Sequence, residues 1–280
     1  MIATDKTAIS LRIGLALGSG SARGWSHIGV LRALYEHGIT PAIITGSSTG
    51  SLVAAAHASE QLDALETWAR DLTKMDVWRL VDANFRGGGF MRGNRLMRAV
   101  GEHLEDRPIE SLARKFGAVA VDLYSGKEVW IQSGSMLDAV RASSGLPGLF
   151  TPTLHGGRWL IDGGVVNPVP VSLCRALGAD YVIAVNLNRP QMNDDEHQPL
   201  VEQNSGQQNN EPGVIDVMNM TIGIMQRQID QGRMHSDPPD LLINPHLDDF
   251  QLMDFHRAAE AIEVGHKAMS QVADQLTGIS

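Results

Sequence analysis

Two successive units of apolar run, glycine-containing turn and helix-favouring stretch stand near the start of the sequence, and they restrict the fold more than any other feature. Ile13 to Leu17 is a short apolar stretch ended by glycine, which reads as a buried strand. His27 to His37 follows with helical apolar spacing and Gly38 as its stop. Ala42 to Thr45 is a second β-branched run, and from Ser51 to His57 the alanine-rich sequence favours a helix. This alternation predicts parallel strands joined by right-handed crossovers, with both glycine turns at the carboxyl edge of the sheet, where ligands bind.

The remainder of the chain extends the same α/β pattern. Leu62 to His103 reads as a mainly helical excursion beside the active edge, interrupted at Arg86 to Gly89. Val119 to Tyr124 and Glu128 to Gln132 flank Ser125-Gly126-Lys127 as a hairpin, Trp159 to Ile161 is a short strand running into Asp162-Gly163-Gly164, and Tyr181 to Leu187 is a buried strand. Residues 188–213 are polar with few apolar positions and are expected to be a disordered loop. Val214 to Arg233 and Leu252 to Leu276 are expected as helices, with a strand from Asp240 to Asn244 between them. With 280 residues and 43% hydrophobic composition, residues 1–280 are read as a single elaborated domain.

Composition excludes several functions. A formal charge of -9 without a basic cluster disfavours nucleic acid and general attraction to anionic lipid, so any peripheral membrane contact is expected to be local and apolar. The single Cys174 rules out an intrachain disulfide and a cysteine metal cage, and no metal or cofactor is expected. Neither a secretion signal nor the roughly 18 uninterrupted apolar residues of a membrane span is visible. The expected location is therefore cytoplasmic, with contact at most at the inner face of the membrane.

The chemistry concentrates in the turns. Gly46-Ser-Ser-Thr-Gly50 has the GxSxG form, a string that chance supplies roughly 0.1 to 0.2 times in a chain of this length. Its context between a strand and a helix is what makes Ser48 a candidate nucleophile, on a strained turn that lifts the hydroxyl clear of the sheet. Gly46 and Gly50 then stand where a Cβ would collide with neighbouring backbone, and the Thr49 amide opens a helix facing a developing oxyanion. Gly18-Ser-Gly-Ser-Ala-Arg-Gly24 follows the first strand and presents several amides as an anion site. Dinucleotide binding fits it poorly, because Arg23 replaces the third glycine of GxGxxG and no acid ends the second strand. An oxyanion hole fits better, with Ser19, Gly20 and Ser21 as donors and Arg23 steadying the loop or the charge.

A serine also needs a proton acceptor. Of the ten histidines, His246, after the strand Asp240 to Asn244, is the one suited to a Ser-Asp-His triad. Asp162 is the alternative, a carboxylate at a tight turn whose pKa would rise in an apolar pocket. The residues alone leave dyad and triad open.

Together, Gly18 to Gly24, Gly46 to Gly50 and Asp162-Gly163-Gly164 resemble, in order and spacing, the three signatures of the patatin-like phospholipase family. The resemblance extends through Arg141 to Gly148, Asn167-Pro168 and Asp254-Phe-His-Arg257, and is strongest to the bacterial RssA-like branch related to the catalytic domain of neuropathy target esterase. It implies a three-layer α/β fold with a mainly parallel central sheet flanked by helices. It also implies a Ser48-Asp162 dyad without metal, an oxyanion loop through Gly20, and hydrolysis of fatty acyl esters such as lysophospholipid or phospholipid. Ser19 and Ser21 depart from the pattern, standing where many members have glycine. A lipid-binding regulatory protein with little catalysis is the reading of a different class. Acyl length, head group, the bond cleaved and oligomeric state are not written in these residues.

Overall fold

The computed structural model describes residues 11–80, 89–91, 93–188 and 213–276. Nearly all of the polar stretch 188–213, and residues 86–88 of the glycine interruption, lie outside them.

The opening units form as expected: β1 (Ile13–Leu17), α1 (Ser26–Glu36), β2 (Ile43–Ser47) and α2 (Thr49–Ala58). The excursion comprises α3 (Leu62–Asp71), α4 (Lys74–Leu80) and α5 (Asn94–His103). It is not wholly helical: β3 (Gly89–Met91) pairs in parallel with β6 (Gly148–Phe150) to make a small second sheet. Between them run β4 (Lys115–Asp122), β5 (Glu128–Ile131) and α6 (Met136–Ser143). The chain continues through β7 (Thr153–His155), β8 (Arg158–Asp162), α7 (Val171–Ala176), β9 (Tyr181–Val185), α8 (Val214–Ser236), β10 (Leu241–Ile243) and α9 (Ala258–Ser270).

Strands β10, β9, β1, β2 and β4 are neighbours in that order and mutually parallel, while β8, β7 and β5 add antiparallel pairs at one side. Parallel strands covered on both faces read as continuous apolar runs, as in β1 and β2, every residue of which is buried. Side-chain alternation divides the core accordingly. Leu15, Leu17, Ile183 and Val185 join the large cluster with α1, α2 and α9, whereas Ala16, Val182 and Ala184 face Val171 and Cys174 of α7. The result is three layers, helices on both faces of one sheet.

One expected helix starts late. Leu252 to Arg257 is not α-helical, because its carbonyls serve the glycine loop: the Leu252 carbonyl accepts from the Ser21 hydroxyl at 2.6 Å, and the Phe255 carbonyl from Trp25 Nε1 at 3.1 Å. The α-helix begins only at Ala258.

The arrangement that positions the site is on β4. Val119 pairs with Ser47 of β2 on one edge and with Trp130 of β5 on the other. Ala120 pairs with Val129 of β5 and with Asp162 of β8. Strands β2 and β8 therefore share one edge of β4, approach from opposite directions, and end on adjacent residues of it.

Candidate active site

Immediately beyond Ser47 the chain turns sharply. Ser48 has φ 55° and ψ -128°, a left-handed conformation that costs an L-residue of order 1–3 kcal/mol. Gly46 permits the turn to close, since a Cβ there would lie 2.4 Å from the Gly50 carbonyl carbon. Similarly, a Cβ on Gly50 would lie 2.4 Å from the Leu17 carbonyl oxygen, so the turn is pressed against the end of β1. The Ser48 amide donates to Ser143 Oγ at 3.0 Å, and that hydroxyl donates to the Val119 carbonyl at 2.6 Å. Ser143, fully buried at the end of α6, is thus a support of the turn, a role that the Arg141 to Gly148 stretch does not reveal by itself. Ser143→Ala leaves the Ser48 amide and one Val119 acceptor bond unmet. A loss of about 1–3 kcal/mol in denaturant titration is expected.

On the other side of the same β4 edge, Asp162 is completely buried. Its Oδ1 accepts from the Gly164 amide at 2.8 Å. Burial pushes the carboxyl up to about 6, opposed by the Ser48 hydroxyl and then by the Gly164 amide. The hydroxyl is near enough to act on the carboxyl, yet Oδ2 has no hydrogen-bond partner among the described residues. Such loose alignment is common in sites without substrate. Gly163 passes close to Ser47 and Val119, and Gly164 lies against Ser19 and Gln226.

The glycine loop supplies donors selectively. The amides of Gly18 and Ser19 are engaged within the fold, donating to Val185 at 2.9 Å and Pro168 at 2.8 Å. This removes Ser19 from the expected set of oxyanion donors. Among the described bonds, the amides of Gly20, Ser21 and Thr49 have no protein acceptor. Ser21, like Ser48, holds a positive φ, here 50°. Arg23 does not project into solvent as a free cation: its Nε donates to the Gly20 carbonyl at 3.3 Å, and burial, followed by the nearby Arg227, lowers its pKa. Gly24 packs against the Thr49 side chain, bringing the loop and the Ser48 turn together. Behind the loop, buried His27 meets the Gly18 carbonyl at 2.8 Å, and burial lowers it to about 4, so it is neutral.

Ser48, Thr49, Gly20, Ser21 and Arg23 open into one cavity. Its other walls are mainly apolar and come from the excursion, from the segment around β6, from α8 and from the stretch before α9, with Trp68, Leu72, Val77, Met97, Phe150 and Ile222 among them. His246 is exposed and does not line it. Among the described residues there is no His, Cys, Asp and Glu cluster suited to a metal ion, and no helix long and apolar enough to cross a membrane.

Residues 15–175 match the family model for patatin-like phospholipase, well over half of the chain and including all three glycine turns. The chain belongs to the patatin-like phospholipase family. Within it, the chain is 42% identical over 179 residues to an uncharacterized NTE family protein of Mycobacterium bovis, covering 64% of this chain and 50% of that protein. It is 29% identical over 278 residues to lysophospholipase NTE1 of Coccidioides immitis, covering 94% of this chain and 18% of that one. Against human patatin-like phospholipase domain-containing protein 6 the identity is 32% over 182 residues, 62% of this chain and 13% of the relative. The chain thus spans at most half the length of these relatives. Among solved structures it overlays on VipD of Legionella pneumophila with TM-score 0.46 at 12% identity, covering 95% of this chain and 67% of that chain.

Proposed function

We propose that this patatin-like protein hydrolyses fatty acyl esters of lipids, with Ser48 as nucleophile and Asp162 as its base. The observation that carries the reading is that β2 and β8 end on adjacent residues of β4, so that the strained Ser48 just beyond β2 meets the buried, poorly solvated Asp162 carboxylate, with Ser48 opening into a largely apolar cavity. The family name and the lysophospholipase among its relatives support a lipid substrate, lysophospholipid or phospholipid.

In the proposed reaction Ser48 Oγ bonds to the ester carbonyl carbon as its proton passes to Asp162. The carbonyl oxygen becomes an oxyanion facing the Gly20, Ser21 and Thr49 amides, each able to contribute roughly 3 kcal/mol. Collapse breaks the bond to the leaving alcohol, which takes the proton from Asp162, and leaves an acyl-serine. Water attacks this ester, giving its proton to Asp162, and the fatty acid departs as the proton returns to Ser48. The raised carboxyl suits this role, because a base of pKa about 6 accepts a proton better than an ordinary carboxylate and is still ionised at neutral pH. Metal has no part in the scheme. Substrate held in a bilayer would require peripheral membrane contact, made through local apolar surface.

A fluorophosphonate probe tests the reading directly. Native protein is expected to be labelled, and Ser48→Ala to be unlabelled while retaining its thermal transition. Absence of labelling on folded native protein would leave the cavity as a lipid-binding site without catalysis. Comparison of lysophospholipid with diacyl substrates then defines the class cleaved.

A further inference from the structure

The loop that offers the Gly20 and Ser21 amides is tied to α8 by a buried polar chain that the proposed reaction does not use. Ser19, 2% exposed, already has its amide fixed on Pro168, and its hydroxyl accepts from Asn188 Nδ2 at 3.0 Å. Asn188 is itself 5% exposed, and its backbone amide donates to Asn186 Oδ1 at 2.8 Å, which sets its direction at the end of β9. The same Nδ2 group donates to Asp230 Oδ2 on α8 at 3.2 Å. Asp230 is 4% exposed, and its Oδ1 has no hydrogen-bond partner among the described residues.

Among the described residues no cation is paired with this carboxylate. Arg23 Nε is on the Gly20 carbonyl, and Arg233 is paired with Glu128 at 2.7 Å. Burial accordingly raises Asp230 to about 7, with the Asn188 bond as the opposing influence. A buried carboxyl in this condition is costly and is not explained by stability. Its position is informative instead: α8 also supplies Ile222, Gly223 and Gln226 to the cavity wall, and Gln226 abuts Gly164, the residue that binds Asp162. The Ser19 hydroxyl lies against that same glycine, 3.0 Å from where its Cβ would be.

We infer that Asn188 is a positioning residue: by bridging Ser19 and Asp230 it holds the amide loop and α8 as one unit, so that the wall of the acyl cavity sets the aim of the oxyanion donors. The activity arm of this inference rests on the proposed hydrolysis. Ser19 supplies the hydroxyl through which the bridge is made.

The test uses full-length protein and a soluble monomeric ester, 4-nitrophenyl butyrate. Asn188→Ala is expected to lower kcat by ~10-fold or more with KM within ~3-fold, the signature of a lost transition-state contact. Ser19→Ala should do the same, and the double variant should fall no further than the more impaired single, because one interaction has been removed twice. Asp230→Asn retains an oxygen acceptor for Asn188 and should keep kcat within ~3-fold of native, whereas Asp230→Leu should match Asn188→Ala. Hydrogen exchange on Asn188→Ala should rise in the Gly20 to Arg23 amides and in the cavity-facing turns of α8 together, leaving β1 unchanged. Additive losses in the double variant, or a lowered melting temperature with kcat and loop exchange unaltered, would overturn the bridge. If native protein neither hydrolyses the ester nor reacts with fluorophosphonate, the proposed function fails, and the exchange experiment alone decides whether loop and helix are joined.

Discussion

Asp162→Asn is expected to be an inactive protein that is more stable than the native one at pH 8. The substitution keeps an oxygen for the Gly164 amide but, on the proposed chemistry, cannot accept the Ser48 proton, and removal of a general base costs typically 10²- to 10⁴-fold in kcat. The stability gain follows from burial. The folded carboxyl titrates at about 6 against an ordinary value of 3.8. Stability associated with the protonated form is fully present below the unfolded value and is lost as pH rises to about 6. At about 1.4 kcal/mol per unit the full penalty is of order 3 kcal/mol, constant at higher pH. Asparagine never ionises and avoids it. Denaturant titrations of both proteins should therefore diverge by about 1–3 kcal/mol at pH 8 and converge near pH 4. For the native enzyme the same shift predicts kcat/KM rising with pH to a plateau above about 6. An Asp162→Asn variant with full activity, beside a dead His246→Ala, would replace the dyad with the triad.

The second large effect is expected at Gly163. A Cβ there would stand 2.2 Å from the Val119 carbonyl oxygen and 2.8 Å from Ser47 Oγ. The first of these is main chain in the middle of the sheet and cannot rotate away. Gly163→Ala should cost at least about 3 kcal/mol, read as a lower urea midpoint, and should reduce activity further by moving Asp162 along β4. Gly126→Ala is the control. Gly126 has φ +67°, and a Cβ added there would meet nothing within 4 Å, so only the backbone preference is lost, about 1 kcal/mol, and activity should remain.

The fold is readable where a residue's role is local. Strand β1, helix α1 and the Ser48 turn follow from apolar periodicity and glycine placement over a few residues, and the structure has them where that pattern puts them. Helix α6 carries a usable signal in Ser135, whose hydroxyl caps the Asp138 amide at 2.9 Å, a cap that apolar spacing alone does not reveal. The late start of α9 is not legible, because it depends on carbonyls bonded to Ser21 and Trp25 far away in the chain. The candidate site divides in the same way. Ser48 and the glycine loop announce themselves by motif, and Asp162 by its turn. Which loop amides remain unengaged depends on Pro168 and Val185, and the support given by Ser143 depends on Val119, partners that no spacing rule connects.

The shared edge of β4 carries a consequence for biosynthesis. Neither Ser48 nor Asp162 is aimed by its own segment: each is delivered by a strand that must first find its half of β4, and β8 is translated long after β2. On the proposed chemistry, a nascent or partly unfolded chain with a free serine has no base beside it and cannot cleave lipid. Competence to attack acyl esters is then acquired only when three strands have met, so the pairing of the sheet itself withholds the reactive centre until the fold is complete.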